Sequence, residues 1–310
     1  MTNDPFAVET AITVEGLTKR YGTLTALDGV SFGVARGELF GLIGPDGAGK
    51  TTLFRLLVTL IVPDGGRAAV DGFDMVSGYR ESRRRVGYMP GRFSLYPDLS
   101  VEENLGFFAA LFGVDRRANA DLIAPIYRQI EPFRTRRAGK LSGGMKQKLA
   151  LCCALIHRPS VLFLDEPTTG VDAVSRSEFW DMLSDLKCRG ISMLVSTPYM
   201  DEARRCDRIA LCDRGRLLGV DTPQGIVRGF GGRLYVLSGG EMYGLLVAAR
   251  REPGVEECYP FGEAHHLVAG PDFDPEGFVR RLAGQGFRGV VLRPAEPGTE
   301  DVFIKRMHHE

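Results

Sequence analysis

Residues 44–52 have the composition of a loop that wraps around the phosphates of a nucleotide. They comprise Gly44, Pro45, Asp46, Gly47, Ala48, Gly49, Lys50, Thr51 and Thr52. Glycines let the backbone turn closely around phosphate, Lys50 can reach the β- and γ-phosphates, and the Thr51 hydroxyl can bind Mg²⁺. Residues 39–43 predict a buried strand before the loop and residues 50–60 a helix after it, which is the setting that this chemistry requires.

Two carboxylates follow another apolar run. Residues 161–164 read VLFL, typical of a strand covered on both faces, and Asp165 and Glu166 come next. A carboxylate at the carboxyl end of such a strand can hold Mg²⁺, so Asp165 and Thr51 are the predicted metal ligands. Glu166 could act as the base that orients an attacking water. An apolar run followed by two carboxylates is weak evidence by itself. Together with the phosphate loop upstream, it is strong evidence for a nucleotide site.

A second anion site is indicated at Ser142, Gly143 and Gly144, which open a predicted helix. The first turn of a helix has unpaired N–H groups and a positive dipole, and both attract phosphate. An ordinary helix capped by a serine would have the same sequence, so both interpretations stay open.

Alternating strands and helices must position these groups. Residues 12–40 predict short strands and a hairpin, residues from about 95 to 158 mainly helices, residues 174–187 a helix, and residues 191–195 a buried strand. This alternation favours an α/β domain built on a parallel sheet.

The GFGG segment at residues 229–232 is the predicted domain boundary. It gives a nucleotide-binding domain at 11–231 and an accessory domain at 232–310. The accessory domain reads as strand, helix, strand, strand, helix, strand, which suggests a small α+β ferredoxin-like fold.

Composition excludes several classes of protein. The chain has 310 residues, 39 basic and 39 acidic side chains, so it lacks the basic excess of a nucleic-acid-binding protein. No apolar run approaches the roughly 18 residues of a membrane span, and the N-terminus does not resemble a signal peptide. We therefore expect a cytoplasmic protein whose six cysteines are reduced thiols.

The order of the motifs resembles that of ATP-binding subunits of ABC transporters, over about residues 12–222. The matching segments are Tyr21, the loop at 44–51, LSGGMKQ at 141–147, VLFLDEP at 161–167, Gly170-Val171-Asp172, and STPYMDEA at 196–203. The tail PGTEDVFI resembles bacterial drug-exporter ATPases. GPDGAGKTT and AGKLSGGMKQKL look most like the first cassette of tandem-cassette multidrug exporter ATPases.

The resemblance implies a P-loop NTPase fold of the ABC type with a helical subdomain, and it implies roles. Tyr21 would stack on adenine, although a surface tyrosine of the hairpin is the alternative. Ser142 and Gly144 would touch the γ-phosphate of ATP held by a second nucleotide-binding domain, and Asp172 would lie at the dimer seam. Residues 93–97 would meet a membrane permease that exports a drug or lipid-like cargo. The chain would then be peripheral on the cytoplasmic face of the inner membrane.

The chain departs from the family at three positions. Gly91 replaces a glutamine that contacts Mg²⁺ and the attacking water, Pro198 replaces the switch histidine, and Asp46 replaces an asparagine. Loss of one positioned donor commonly costs about 10²–10³ in rate, so slow hydrolysis with intact binding is expected. This favours a heterodimer in which the chain completes a partner's competent site. A homodimer of reduced activity is the alternative.

Two other functions compete with transport. One is a soluble ABC protein acting on ribosomes or DNA, although such proteins usually carry two cassettes or coiled-coil insertions. The other is a regulatory nucleotide-binding subunit without turnover. Association with a membrane protein would distinguish transport from a function on ribosomes or DNA. ATP turnover would distinguish transport from a purely regulatory role.

Overall fold

A computed structural model describes residues 9–92, 94–115 and 119–308 of the chain. Internal contacts divide it into two compact units, one ending at Pro223 and the other beginning at Gln224. The boundary predicted between residues 231 and 232 lies slightly C-terminal to this division, because the GFGG segment belongs to the second unit.

Two sheets form the first unit. Its strands are β1 (Thr10–Tyr21), β2 (Leu24–Ala35), β3 (Leu39–Ile43), β4 (Gly65–Val70), β5 (Phe73–Asp74), β6 (Val86–Met89), β7 (Val161–Asp165), β8 (Ser192–Thr197), β9 (Arg208–Asp213) and β10 (Arg216–Asp221). The larger sheet has the order β10-β9-β3-β8-β7-β6, in which all strands but β10 run parallel. The smaller sheet is antiparallel, with the order β2-β1-β4-β5.

The middle strands of the parallel sheet are buried along their whole length. Every residue of β3, β7 and β8 is buried, as their continuous apolar sequences predict for strands covered on both faces. Ile43 pairs with Thr197, and Asp165 pairs with Ser196. The carboxyl ends of the three strands therefore meet at one edge of the sheet.

Helices cover the sheet and form a separate helical segment. They are α1 (Lys50–Leu57), α2 (Tyr79–Arg85), α3 (Val101–Phe112), α4 (Ala120–Tyr127), α5 (Gly143–Leu155) and α6 (Ala173–Cys188), with 3₁₀ turns at Glu131–Phe133, Ala138–Lys140 and Met200–Arg205. Helix α5 contacts both α3 and α4. All three helices lie in the range of about 95–158 for which a helical subdomain was predicted. Phe54 of α1 packs edge-on against Phe163 of β7, with ring centroids 5.9 Å apart.

Helix α1 is shorter than predicted. It ends at Leu57 rather than near residue 60, since Thr59 takes the left-handed conformation at φ 62°. The N–H of Leu60 then donates to the Arg55 carbonyl at 2.8 Å, which closes the last turn.

The second unit has the predicted element order. After α7 (Pro223–Arg228) come β11 (Arg233–Ser238), α8 (Met242–Ala249), β12 (Val255–Phe261), β13 (Ala264–Ala269), α9 (Pro275–Gly284), β14 (Val291–Ala295) and α10 (Thr299–His308). The sheet is antiparallel with the order β12-β13-β11-β14, which is the ferredoxin-like arrangement.

Sequence patterns did not predict α10. Its Asp301 is buried and accepts a hydrogen bond from the Tyr259 hydroxyl at 2.8 Å, and it contacts Nδ1 of His266 at 2.5 Å. A buried polar network therefore docks this last helix on β12 and β13.

None of the six cysteines takes part in a disulfide bond, and all but Cys188 are buried. Burial raises the pKa of Cys212 and of Cys258 to about 12, so these thiols stay protonated at neutral pH. Within the described ranges, no helix is both long and apolar enough to cross a lipid bilayer.

Candidate functional site

The glycine loop between β3 and α1 has a backbone that only glycine can form. Gly47 and Gly49 have φ of 83° and 96°. A Cβ on Gly49 would lie 2.5 Å from the Ala26 carbonyl oxygen, and one on Gly44 would overlap the Cys212 carbonyl. Helix α1 begins after Gly49 without a side-chain cap, so its first N–H groups point into the loop. The loop is thus a backbone cradle for an anion.

Lys50 points into this cradle. Its side chain is 3% exposed, and Nζ donates to the carbonyls of Gly44 and Pro45 at 2.8 Å each. Nζ also lies 3.2 Å from Glu166 Oε1. The ammonium group and the predicted base therefore contact each other at the mouth of the loop, where a phosphate would have to insert between them.

The two predicted carboxylates differ in their surroundings. Asp165 is 2% exposed, and its Oδ1 accepts a 2.6 Å hydrogen bond from Ser196 Oγ. No described residue donates to its Oδ2, which leaves that oxygen for a metal ligand bond. Glu166 has φ 49°, a left-handed conformation that costs a non-glycine residue about 1–3 kcal/mol. Such strain is common where a side chain must be presented to a substrate.

A cavity of about 620 Å³ joins Lys50 and Glu166 to the β1–β2 hairpin, and Asp165 is not among the residues that line it. The predicted residues in its lining are Tyr21, Asp46, Gly47, Gly49, Lys50, Thr51, Thr52 and Glu166. Tyr21 is 44% exposed, and Lys19 Nζ lies over its ring at 5.7 Å from the centroid. An aromatic ring at this place could stack on a planar base. Leu24, Thr25 and Arg214 also line the cavity and were not predicted.

The segment Ser142-Gly143-Gly144 lies elsewhere. Ser142 caps α5, where its Oγ accepts from the Met145 N–H at 3.4 Å. Gly144 is in close contact with α6, since a Cβ would lie 2.7 Å from Ser175 Oγ. None of these three residues lines the cavity that contains Lys50 and Glu166. The second predicted anion site and the first are thus separate within one chain.

Asp172 caps α6 beside this segment. Its Oδ1 accepts from the N–H groups of Ser175 at 3.0 Å and Val174 at 3.1 Å. The hydrogen bond from Ser175 is the main reason that the pKa of Asp172 lies below its usual value. A lowered carboxyl pKa keeps this exposed residue ionised at neutral pH.

Two of the three departures from the family pattern, Gly91 and Pro198, differ in their surroundings. A Cβ on Gly91 would lie 3.0 Å from the Asp165 carbonyl oxygen and 3.8 Å from Glu166 Cβ. Pro198 directly follows β8, between Thr197 and Tyr199, and the Tyr199 N–H donates to Thr197 Oγ1 at 3.0 Å. Neither residue offers a side-chain donor to the cavity.

These residues fit a magnesium-bound nucleoside triphosphate. The cradle with its buried lysine suits the phosphates, and Asp165 Oδ2 with the Thr51 hydroxyl suits a cation that prefers oxygen ligands. Of the surface predicted to meet a partner at residues 93–97, Phe93 lies outside the described residues.

Ser196 and Arg214 are two of the residues of the site that were not predicted from sequence. Ser196 contacts the side chain of Asp165 and the backbone of Glu166 from the neighbouring strand. The one feature of the sequence that pointed to it was a hydroxyl residue near the end of a predicted buried strand. Arg214 reaches the cavity from the turn between β9 and β10, for which the sequence offered no signal.

Comparison with known proteins gives a consistent result. The model of the ABC transporter family matches residues 27–169. The chain is 44% identical over 217 residues to the "Probable multidrug ABC transporter ATP-binding protein YbhF" of Escherichia coli (strain K12), covering 69% of this chain and 38% of that protein. The chain therefore spans well under half the length of that relative.

Another relative aligns along nearly its whole length. "Nod factor export ATP-binding protein I" of Burkholderia orbicola (strain AU 1054) is 37% identical over 302 residues, covering 95% of this chain and 96% of that protein. A solved structure described as an ATP binding subunit of an ABC transporter is similar with a TM-score of 0.65 and 30% identity, covering 72% of this chain and 94% of that chain. The predicted fold class is confirmed.

Proposed function

Because the chain belongs to the ABC transporter family, as an ATP-binding subunit, we propose that it binds Mg·ATP, pairs with a second nucleotide-binding domain and drives a permease. The cargo would leave the cell, since the names of two relatives refer to multidrug transport and Nod factor export. The chain would work on the cytoplasmic face of the inner membrane. Lys50 and the loop would hold the phosphates, Thr51 and Asp165 the Mg²⁺, and Tyr21 the adenine.

The separation of Ser142-Gly143-Gly144 from the phosphate cavity is the observation that supports a dimer most. Both segments have the geometry of an anion site, and they do not meet within one chain. A second nucleotide-binding domain would bring its own such segment to this cavity. In return, Ser142 and Gly144 of this chain would complete the partner's site, with Asp172 at the seam.

Hydrolysis at the chain's own site is proposed to be slow. Phosphoryl transfer depends on groups that position the water and stabilise charge, and Gly91 and Pro198 supply none. Glu166 remains to orient the water. An asymmetric pair, in which the partner's site turns over faster, is therefore favoured over a homodimer of two weak sites.

An apolar groove is proposed as the permease contact. A cavity of about 280 Å³ lies between the parallel sheet and the helical segment, and its lining includes Leu60, Leu95, Phe108 and Phe112. Leu60 is 59% exposed and Phe112 38% exposed, and both line the same groove, so together they present an apolar patch that a partner could cover.

The loop beside this groove is held by one buried amide. Asn104 Oδ1 accepts from the Tyr96 N–H at 3.0 Å, and Nδ2 donates to the carbonyls of Tyr96, Leu99 and Ser100 at 3.1, 3.2 and 2.9 Å. The edge of the groove is thus preformed, as a docking surface should be.

We expect Leu60→Asp to reduce the share of the chain that sediments with inner-membrane vesicles by roughly tenfold, because one buried charge commonly costs an interface over 1 kcal/mol. ATP binding should be unchanged. Val76→Asp is the matched control, since Val76 is 52% exposed and does not line the groove. Equal sedimentation of Leu60→Asp and wild type would contradict this docking surface. Recovery of the chain with ribosomes instead would favour the non-transport alternative.

A further inference from the structure

Ser196 contacts both members of the acidic pair. It is fully buried at the carboxyl end of β8, opposite Asp165 of β7. Its Oγ donates to Asp165 Oδ1 at 2.6 Å and accepts from the Glu166 N–H at 3.0 Å. The same N–H lies 3.1 Å from the Ser196 carbonyl oxygen. One hydroxyl therefore links the side chain of the metal-binding candidate to the backbone of the candidate base.

Each of these contacts fixes part of the geometry of the acidic pair. The bond to Oδ1 sets the rotation of the Asp165 carboxylate, so that Oδ2 keeps a single direction. The bond from the Glu166 N–H stabilises a backbone that is left-handed at φ 49°. Without the hydroxyl, Asp165 Oδ1 would be a buried acceptor that has lost its donor, and the carboxylate would be free to turn.

We propose that Ser196 is a positioning residue of the Mg·ATP site, which aims Asp165 at the metal and holds Glu166 in place. This inference rests on the proposed function. Groups that orient a metal ligand without touching the metal typically change metal affinity by about 10–100-fold when they are removed. Neither Gly91 nor Pro198 has a side-chain hydrogen-bond donor that could replace the hydroxyl.

The same strand offers a matched control. Ser192 is 1% exposed at the other end of β8, and its Oγ accepts from the Gly37 N–H at 2.9 Å. Ser192→Ala and Ser196→Ala therefore remove the same atom from the same buried strand. Only Ser196→Ala removes a hydrogen bond to Asp165 and Glu166.

The test measures the Mg²⁺ affinity of the purified full chain with saturating ATP, from the rise in unfolding temperature as MgCl₂ is added. Binding of ATP in EDTA is measured in parallel, as a readout that needs no metal and no turnover. We expect Ser196→Ala to weaken the apparent Mg²⁺ affinity about 10–100-fold and to leave ATP binding in EDTA within about twofold. Ser192→Ala should match wild type in both, and Ser196→Thr, which keeps the hydroxyl, should restore Mg²⁺ affinity at least in part.

Other outcomes would overturn the inference. Equal Mg²⁺ affinity in Ser196→Ala and wild type would show that the hydroxyl does not position the metal ligand. Equal losses of ATP binding with and without metal would assign Ser196 to the stability of β8. If the wild-type chain itself bound no ATP, the proposed function would fail, and this inference with it.

Discussion

Replacing Lys50 with alanine is expected to weaken ATP binding by roughly 10²-fold. The ammonium group is 3% exposed within the glycine loop, and its partners are backbone carbonyls and Glu166. Hydrogen bonds to charged groups each contribute about 1.5–3 kcal/mol, and a phosphate would accept at least one from Nζ. Titration of the purified chain with a fluorescent ATP analogue measures the change.

Lys148→Ala is the control for loss of a lysine as such. Lys148 Nζ pairs with Glu178 at 2.7 Å, and Lys148 does not line the cavity. Its removal should leave ATP affinity unchanged, because Lys148 contacts none of the groups that would hold the nucleotide. If Lys50→Ala bound ATP as tightly as wild type, Lys50 would serve only to close the loop on its own carbonyls.

Replacing Pro198 with histidine is expected to raise the hydrolysis rate of the chain by up to about 10²-fold, the gain typical of one restored donor. Pro198 follows β8 at the edge where Ser196 holds the carboxylates, so a side chain there begins close to the reacting groups. The position is partly exposed, which leaves room for an imidazole. Release of phosphate from Mg·ATP under saturating conditions measures the rate.

Gly91→Gln is expected not to produce a similar gain. A Cβ there would lie 3.0 Å from the Asp165 carbonyl oxygen at the end of the buried strand β7, closer than nearly all real Cβ contacts. The new side chain would displace the metal-binding edge that it was meant to assist. A gain from Gly91→Gln as large as that from Pro198→His would contradict this view and would show that the loop adjusts freely.

Local patterns predicted the parts of the site that are contiguous in sequence. The glycine loop, Lys50 and the pair Asp165-Glu166 depend on a buried strand followed by a turn, and a strand that is buried on both faces is recognisable from its apolar run. The alternation of strands and helices likewise predicted the parallel sheet. In these segments, local preference and tertiary structure agree.

Contacts between distant segments could not be predicted in this way. Ser196 reaches Asp165 only because β8 pairs with β7 in a particular register, and Arg214 reaches the cavity through the turn after β9. Helix α10 was missed, and its docking combines the buried side chains of Val302 and Phe303 with a polar cluster around Asp301. Register and long-range polar contacts carry no signature in a single sequence.

ATP binding and ATP turnover require different groups of this site. The groups for binding are intact, whereas two positions that would assist hydrolysis hold Gly91 and Pro198. Glu166 is the remaining candidate for a chemical role. Binding and hydrolysis should therefore separate in the purified chain.

The most direct test is steady-state hydrolysis of Mg·ATP by the purified chain, with Glu166→Gln as the control and ATP binding measured in parallel. We predict tight binding with turnover far below 1 s⁻¹, the low end of the range of about 1–100 s⁻¹ typical of kinases. Turnover near 1 s⁻¹ or above that Glu166→Gln abolishes would contradict the account. The chain would then be a self-sufficient homodimer that hydrolyses ATP without the glutamine and the histidine.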